Sequence, residues 1–377
     1  MNGMVITGVG TMRPEPAGPP ADPPAGPVAG PVPDGAVHRV SGFDPQAVLG
    51  RKAARYNDRG TLMAMHACET AMADAGLTVT DANRDRTGIA VGTTVGSFAG
   101  VVTYGTDSFD RERPYLVKAA HFPQSVLNTM AGALAIRTGL RGANSTVAGG
   151  PLAGLQAFRH AEMTLRQGHT DTVLVGAAEE LSVPAAWWAH VARRTGPQGE
   201  GAAMFVVERP EVAAAEGRTV LGTLGGVVVR AADPRRPAAV TAVVRAALDR
   251  AGLDPHAVRT VLVRATGDPA VDEAQHEALT ALFGTEPGHD RGTLGDCYSA
   301  HSVLQLSPLV ERGRPGHPDG AAGPALVLAA DPDGALAAMA FTPHAAAPAA
   351  PAAYEGAAPH EGAPQQAHPE PTPGADR

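Results

Sequence analysis

The 377 residues are enough for a large core or two related halves, and 44% of them are hydrophobic against 18% charged, an ordinary globular balance. The formal net charge is −8 and no basic cluster is interleaved with aromatics, which argues against a nucleic-acid binder. Two cysteines, Cys68 and Cys297, exclude a disulfide framework and a cysteine-built zinc site. No apolar run is long enough to span a membrane and no basic-then-apolar leader opens the chain, so a cytoplasmic protein is the expectation.

Residues 4–9 (MVITGV) read as a buried strand. Gly8-Val9-Gly10 is a lone Gly-x-Gly, and no third glycine or helix follows at the step a phosphate loop needs. A Pro/Gly/Ala segment follows instead, residues 13–36, and reads as an extended, mobile insertion. Leu62, Met65, Cys68 and Met72 then share one face of a helix that Gly76 stops. Cys68 is expected to pack inside that helix's apolar face. Residues 87–94 form a strand, and residues 104–115 read as a loop.

The stretch 142–168 carries the strongest local pattern. A short strand at 144–147 leads into the turn Ala148-Gly149-Gly150-Pro151. Leu152, Leu155, Phe158 and Leu165 then share a helical face, and Gly168 stops the helix. Pro151 suits the first helical turn, where its missing N–H is of little consequence. A turn of this kind would activate a nucleophile or hold an anion at the helix N-terminus. Pro151 offers neither a nucleophile nor a donor.

A strand at 172–175 follows, then a helix with Trp187 and Trp188, read as core or interface. Gly199-Glu200-Gly201 precedes another apolar run. From there the chain echoes itself. Ala73-Asp74-Ala75-Gly76-Leu77 is mirrored by Asp249-Arg250-Ala251-Gly252-Leu253, each between a helix and a strand. Residues 292–310 repeat the strand–turn–helix of 142–168. Two related α/β halves are the expectation, 1–220 and 221–343. The Ala/Pro/Glu/His-rich tail, 344–377, is expected to be disordered.

Other constellations have plainer readings. Cys297 and His301 lie four apart, but a small buried thiol beside a helix histidine explains them. Asp268, Asp272, Glu273 and Glu277 fit a solvated helix start, which acids favour. Ser97, between Gly96 and Phe98, lacks the Gly-x-Ser-x-Gly frame.

Residues 142–168, with Gly154-Leu155 in the helix and DTVLVGAAEE at 171–180, resemble the nucleophile elbow of β-ketoacyl synthases of the thiolase superfamily. ITGVG at 6–10, the region from Ser41 to Leu77, and 121–142 resemble the same family. The resemblance implies a duplicated thiolase-type α/β fold in α-β-α-β-α layers. It places the nucleophilic cysteine position at Pro151. With Asp272 set against the family aspartate in VRATGDPAVDEAQHEAL, the first catalytic histidine position falls on Arg264 and the second on Asp296.

An arginine is no neutral proton acceptor near pH 7, and an aspartate would repel an enolate. If Arg264 and Asp296 face each other, they would pair and fill the cavity. The family's Gly-Phe-Gly-Gly loop is replaced by Asp331-Pro332-Asp333-Gly334, and most of the loop before Gly199-Glu200-Gly201 is lost. Cys297-Tyr298-Ser299-Ala300 resembles the turn of chain-length factors, the non-condensing halves of type II polyketide ketosynthases. Those proteins often carry glutamine at the cysteine position, and Pro151 cannot supply its amide.

The resemblance thus implies a subunit with no catalytic residue, cofactor or metal. It would pair with an active ketosynthase in bacterial polyketide or polyene synthesis, meet an acyl carrier protein, and shape the acyl tunnel. Asn144, Thr146 and Val147 would form the interface strand, with Val126, Leu127, Met130 and Ala131 lining the tunnel. The alternatives are a diverged acyltransferase or hydrolase using a different nucleophile such as Cys297, and a homodimeric structural protein without an acyl ligand.

Overall fold

Apolar strands separated by amphipathic helices build one plan twice. The computed structural model describes residues 3–14, 37–119, 122–192, 197–284, 288–289, 294–317 and 323–344. Most of the Pro-rich insertion, the tail beyond His344, and His121 lie outside the described residues. The first pass opens with β1 (Met4–Met12), β2 (Val37–His38), α1 (Pro45–Leu49), α2 (Arg51–Tyr56) and α3 (Arg59–Asp74). It continues through β3 (Thr87–Thr93), α4 (Phe98–Asp110), α5 (Thr129–Thr138), β4 (Asn144–Ala148) and α6 (Ala153–Arg166). β5 (Thr172–Glu179), α7 (Val183–Val191), β6 (Gln198–Gly199), β7 (Gly201–Glu208) and α8 (Pro210–Ala215) complete it. The second pass is β8 (Gly222–Ala231), α9 (Pro237–Ala251), β9 (Thr260–Val263), α10 (Pro269–Phe283), β10 (Gly288–His289), α11 (His301–Arg312), β11 (Ala325–Asp331) and β12 (Ala335–Pro343).

The strands follow the order β4-β3-β5-β7-β1-β8-β12-β11-β9-β10. In the first half β3 is parallel to β4 and β5, while β7 is antiparallel to β5 and β1. In the second half β9 is parallel to β10 and β11, while β12 is antiparallel to β11 and β8. The pairing scheme is therefore the same, and the halves meet where Met4 of β1 faces Leu224 of β8. The faint sequence echo is a duplication of topology, with α3 matching α9 and α6 matching α11. The expected boundary between residues 220 and 221 falls in the short connection from α8 to β8.

Three apolar cores give the layers. α3 and α5 bury Met63, Cys68, Met130 and Leu134 against the outer face of the first half. α6 and α11 lie centrally, where Leu155, Phe158, Val303 and Leu306 meet strands from both halves. α9 and α10 cover the second half with Val240, Val244 and Leu279. The result is the expected α-β-α-β-α arrangement.

Local signals explain most helix ends. Asp58 caps α3 by accepting from the Thr61 N–H at 2.8 Å. Leu62, Met65 and Cys68 are buried along α3, and Gly76 takes the left-handed conformation just past its end. The loop expected at 104–115 is mostly helix. α4 runs to Asp110 because Ser97 caps it, its hydroxyl oxygen accepting from the Gly100 N–H at 3.0 Å. Glycine and β-branched residues hid the helical period, but a side chain at Gly105 would meet open space, so that glycine marks no turn.

Candidate functional site

β4 ends at Ala148 and the chain turns through Gly149 and Gly150, the latter at φ +57°. A short 3-10 turn, Gly150–Leu152, then runs into α6. A Cβ on Gly150 would lie 3.3 Å from an oxygen of Asp331, so the end of β11 closes on this turn. Pro151 is buried at the helix entrance. It withdraws one backbone donor from the place where the helix N-terminus presents its free N–H groups.

The turn packs against β11 and against a second turn, Tyr298–Ala300, which opens α11. Here Arg264, extending from the end of β9, meets Asp296. Its Nε and Nη2 donate to the two carboxylate oxygens at 3.0 and 2.6 Å. The Arg264 side chain is fully buried. Asp296 also accepts from the Tyr298 N–H at 3.0 Å. Burial pushes the Asp296 carboxyl upward, but the charge and hydrogen bonds of Arg264 outweigh it and leave the group below its ordinary range. The two residues thus face each other and are joined as a bidentate pair.

A second carboxylate grips the far side of the turn. Glu179, at the end of β5, accepts from the Ser299 hydroxyl and from the Thr94 N–H, each at 2.5 Å. Burial drives its carboxyl up to about 7 despite these bonds, and the Asp296 charge adds to the rise. Next to it, Glu180 accepts from the Ser97 hydroxyl at 3.2 Å and from the Ala99 N–H at 3.3 Å. Burial, then the Asp58 carboxylate, lifts Glu180 to about 8. The adjacent glutamates therefore tie β3, the start of α4 and the second turn to one strand end.

The space between these elements is nearly full. The Trp188 ring lies 5.3 Å from the Tyr298 ring and 6.3 Å from that of Phe98. The Arg264 guanidinium stands 5.8 Å from the Tyr298 ring centre. The cavity bounded by Glu179, Phe98, Trp188 and Tyr298 holds about 20 Å³. That is room for about one water molecule.

The sequence singled out other residues that the structure places elsewhere. Cys297 is fully buried, its Sγ 3.3 Å from the Leu294 carbonyl oxygen. Burial, then the carboxylates of Asp296, Glu200 and Glu179, raise its thiol well above the ordinary range. His301 turns its Nδ1 to the Gly295 carbonyl at 3.0 Å. A nucleophilic thiolate needs access and a lowered pKa, and Cys297 has neither. Cys68 is likewise buried, its thiol pushed up to about 12.

Asp268 caps α10 through the Ala270 and Val271 N–H groups, and Asp272 accepts from the Thr266 and Gly267 N–H groups. Glu273 and Glu277 are exposed. Glu200 of Gly199-Glu200-Gly201 is buried against Arg59 at 2.7 Å and is a structural anchor. β4, carrying Asn144, Thr146 and Val147, is an edge strand among the described residues. Val126 and Leu127 are exposed, but Met130 and Ala131 point into the α3–α5 core of the chain itself. Inward-facing packing removes those two from any surface this protomer presents.

The convergence of Glu179, Glu180, Trp188 and Tyr298 was not read from the sequence. One signal for part of it was present: an adjacent pair of acids directly after the apolar run 173–178.

A five-layered duplicated α/β fold with a strand–turn–helix at its centre defines a protein of the thiolase-type fold. The chain belongs to the β-ketoacyl synthase family: the N-terminal domain of that family matches residues 5–205 and its C-terminal domain matches 226–330. It is 32% identical to the tetracenomycin polyketide synthase ketoacyl synthase beta subunit of Streptomyces glaucescens, over 67% of this chain and 68% of that one. It is 27% identical to 3-oxoacyl-[acyl-carrier-protein] synthase 2 of Vibrio cholerae, over 72% of this chain and 75% of that one. Among solved structures, the ishigamide ketosynthase/chain length factor aligns with a TM-score of 0.77 and 33% identity, covering 91% of this chain and 99% of that one.

Proposed function

We propose that this chain is a non-condensing ketosynthase-like subunit, a chain-length factor that pairs with an active β-ketoacyl synthase in bacterial polyketide or polyene synthesis. One observation carries the reading. A proline stands at the helix entrance where the family keeps its nucleophile, and a buried arginine–aspartate pair stands at the two histidine positions. Claisen condensation needs a thiolate to carry the acyl chain and neutral donors to hold the enolate left by loss of CO₂. Pro151 supplies no thiolate. Arg264 spends its Nε and Nη2 donors on Asp296, and Asp296 contributes negative charge.

The likeness to a ketoacyl synthase beta subunit and to a ketosynthase/chain length factor supports the same reading. In this reading the edge strand β4 pairs with the partner ketosynthase. Exposed Val126 and Leu127 help bound the partner's acyl tunnel, an acyl carrier protein delivers substrate to the partner, and the complex works in the cytoplasm. The deep burial and raised thiol of Cys297 weigh against the enzyme alternative.

The test is co-expression with an active type II polyketide ketosynthase, taken from the same gene neighbourhood where one is encoded there, followed by size-exclusion chromatography and product analysis. Co-elution is expected, with a product length that changes when Leu127 is changed to Ala or Phe. Separate elution, with the ketosynthase making the same product alone, would refute the proposal.

A further inference from the structure

Among the described residues, Tyr298 is the one non-glycine residue with positive φ, at +46°. Left-handed backbone is unfavourable for a residue with a Cβ, and tyrosine has no short polar side chain to compensate locally. The duplicated fold shows where the demand comes from. Gly150, at φ +57°, opens the 3-10 turn before α6, as Tyr298 opens the 3-10 turn before α11. The first half meets the backbone requirement with glycine. The second half meets it with a large aromatic residue held against the local preference.

The surroundings account for the ring. Asp296, gripped by Arg264, accepts the Tyr298 N–H, and Glu179 accepts the Ser299 hydroxyl one residue later. Buried carboxylates thus clamp the turn on both sides. The clamped turn lays the Tyr298 ring against Trp188 and within 5.8 Å of the Arg264 guanidinium. Tyr298 is 9% exposed, and the cavity it bounds with Glu179, Phe98 and Trp188 holds about 20 Å³. The ring occupies the volume that an open chamber would leave between the second turn, α7, the start of α4 and the end of β5.

We infer that Tyr298 is a plug that closes this subunit's own chamber, so that the protein binds no acyl group internally. The acyl-excluding role rests on the functional reading above, whereas the plug rests on the geometry alone. In a heterodimer the plug would leave the partner's tunnel as the one route for a growing chain. Aromatic packing and a strained backbone fix the ring, so the closure is built in and needs no ligand to set it.

The experiment uses the full chain. Tyr298→Gly suits the left-handed backbone and removes the ring. Phenol, the shape of the deleted ring, is the probe, read by isothermal titration and by the rise in Tm with phenol concentration. A saturable phenol site at least tenfold tighter in Tyr298→Gly than in wild type and Tyr298→Phe is expected. A folded Tyr298→Gly that binds no phenol, or a wild type that binds it equally, overturns the plug. Tyr298→Asn carries the same measurement if the glycine variant does not fold, since asparagine tolerates this backbone. The wild type is also titrated with butyryl-N-acetylcysteamine. Submillimolar binding inside the wild-type chain overturns the closure whatever the variants do, and no binding is the expected result. A folded variant without a phenol site, with co-elution of the ketosynthase intact, would condemn this inference alone. Phenol binding in the variant with no co-elution would instead condemn the chain-length-factor reading.

Discussion

The two strand–turn–helix segments, one in each half, share a backbone and differ in chemistry. Gly149 precedes the first turn at φ −127°, ψ 32°, and Cys297 precedes the second at φ −93°, ψ 19°. Leu152 and Ala300, which join the turns to α6 and α11, have φ/ψ of −90°/−9° and −81°/−14°. Between them the first turn carries Gly150 and Pro151, and the second carries Tyr298 and Ser299. On the proposed reading, the departure from a condensing site at the first turn is a subtraction, since Pro151 offers neither a nucleophile nor a donor. At the second it is an addition, since an ion pair and an aromatic ring fill space. The fold survives both because the helices, not the turn chemistry, bury the central core.

The difference is open to attack first at the ion pair. Asp296→Ala leaves the fully buried Arg264 guanidinium without its bidentate partner, and should destabilise the protein by about 3–5 kcal/mol in chemical denaturation. Replacing both residues together, Arg264→Met with Asp296→Leu, should recover most of that. A loss below about 1 kcal/mol for Asp296→Ala would mean that the second turn is not held by added charge.

Titration sharpens the same contrast. Glu179 is raised from 4.5 to about 7 in the folded protein, chiefly by burial. The folded state therefore holds this proton more tightly than the unfolded state. Its contribution to stability is greatest below pH 4.5, falls as pH rises through that value to about 7, and then levels. Glu180 extends the decline to about 8. Asp296, lowered by Arg264, acts in the opposite sense: its contribution is present above the ordinary aspartate range and is lost as pH falls through its lowered pKa. Glu179→Gln should flatten the decline between pH 5 and 7 and stabilise the protein at pH 8 by up to about 3 kcal/mol. Equal pH profiles for variant and wild type would show that Glu179 is ionised in the folded state like a surface carboxylate.

A smaller effect belongs to the first turn. Gly150→Ala puts a Cβ on left-handed backbone and 3.3 Å from an Asp331 oxygen, and should cost about 1–2 kcal/mol. Thermal denaturation at several protein concentrations reads it. A neutral or stabilising result would mean that the turn relaxes, and the matched backbones would then be coincidental.

Much of the fold was legible because it rests on local periodicity. The spacing of Leu152, Leu155, Phe158 and Leu165 named the buried face of α6, and Asp-Ala-Gly-Leu against Arg-Ala-Gly-Leu announced the duplication. α4 escaped because its start is fixed by one hydroxyl, Ser97, and its glycines imitate a loop. The resemblance drew attention to Pro151, Arg264 and Asp296, and the structure joins the last two as a pair. Their neighbours were not legible. Ser299 and Glu179 meet across 120 residues of sequence, and no local pattern announces such a contact. Nor does helical spacing say which face of α5 meets the core, so Met130 and Ala131 were expected to line the tunnel although they pack inside the chain's own core.

The most direct measurement of the central claim is intact-mass analysis of both subunits after the co-purified complex is incubated with an acyl-carrier-protein thioester. The expected result is an acyl adduct on the partner ketosynthase and an unchanged mass for this chain. A stoichiometric acyl adduct on this chain, at Cys297 or any other residue, would contradict it.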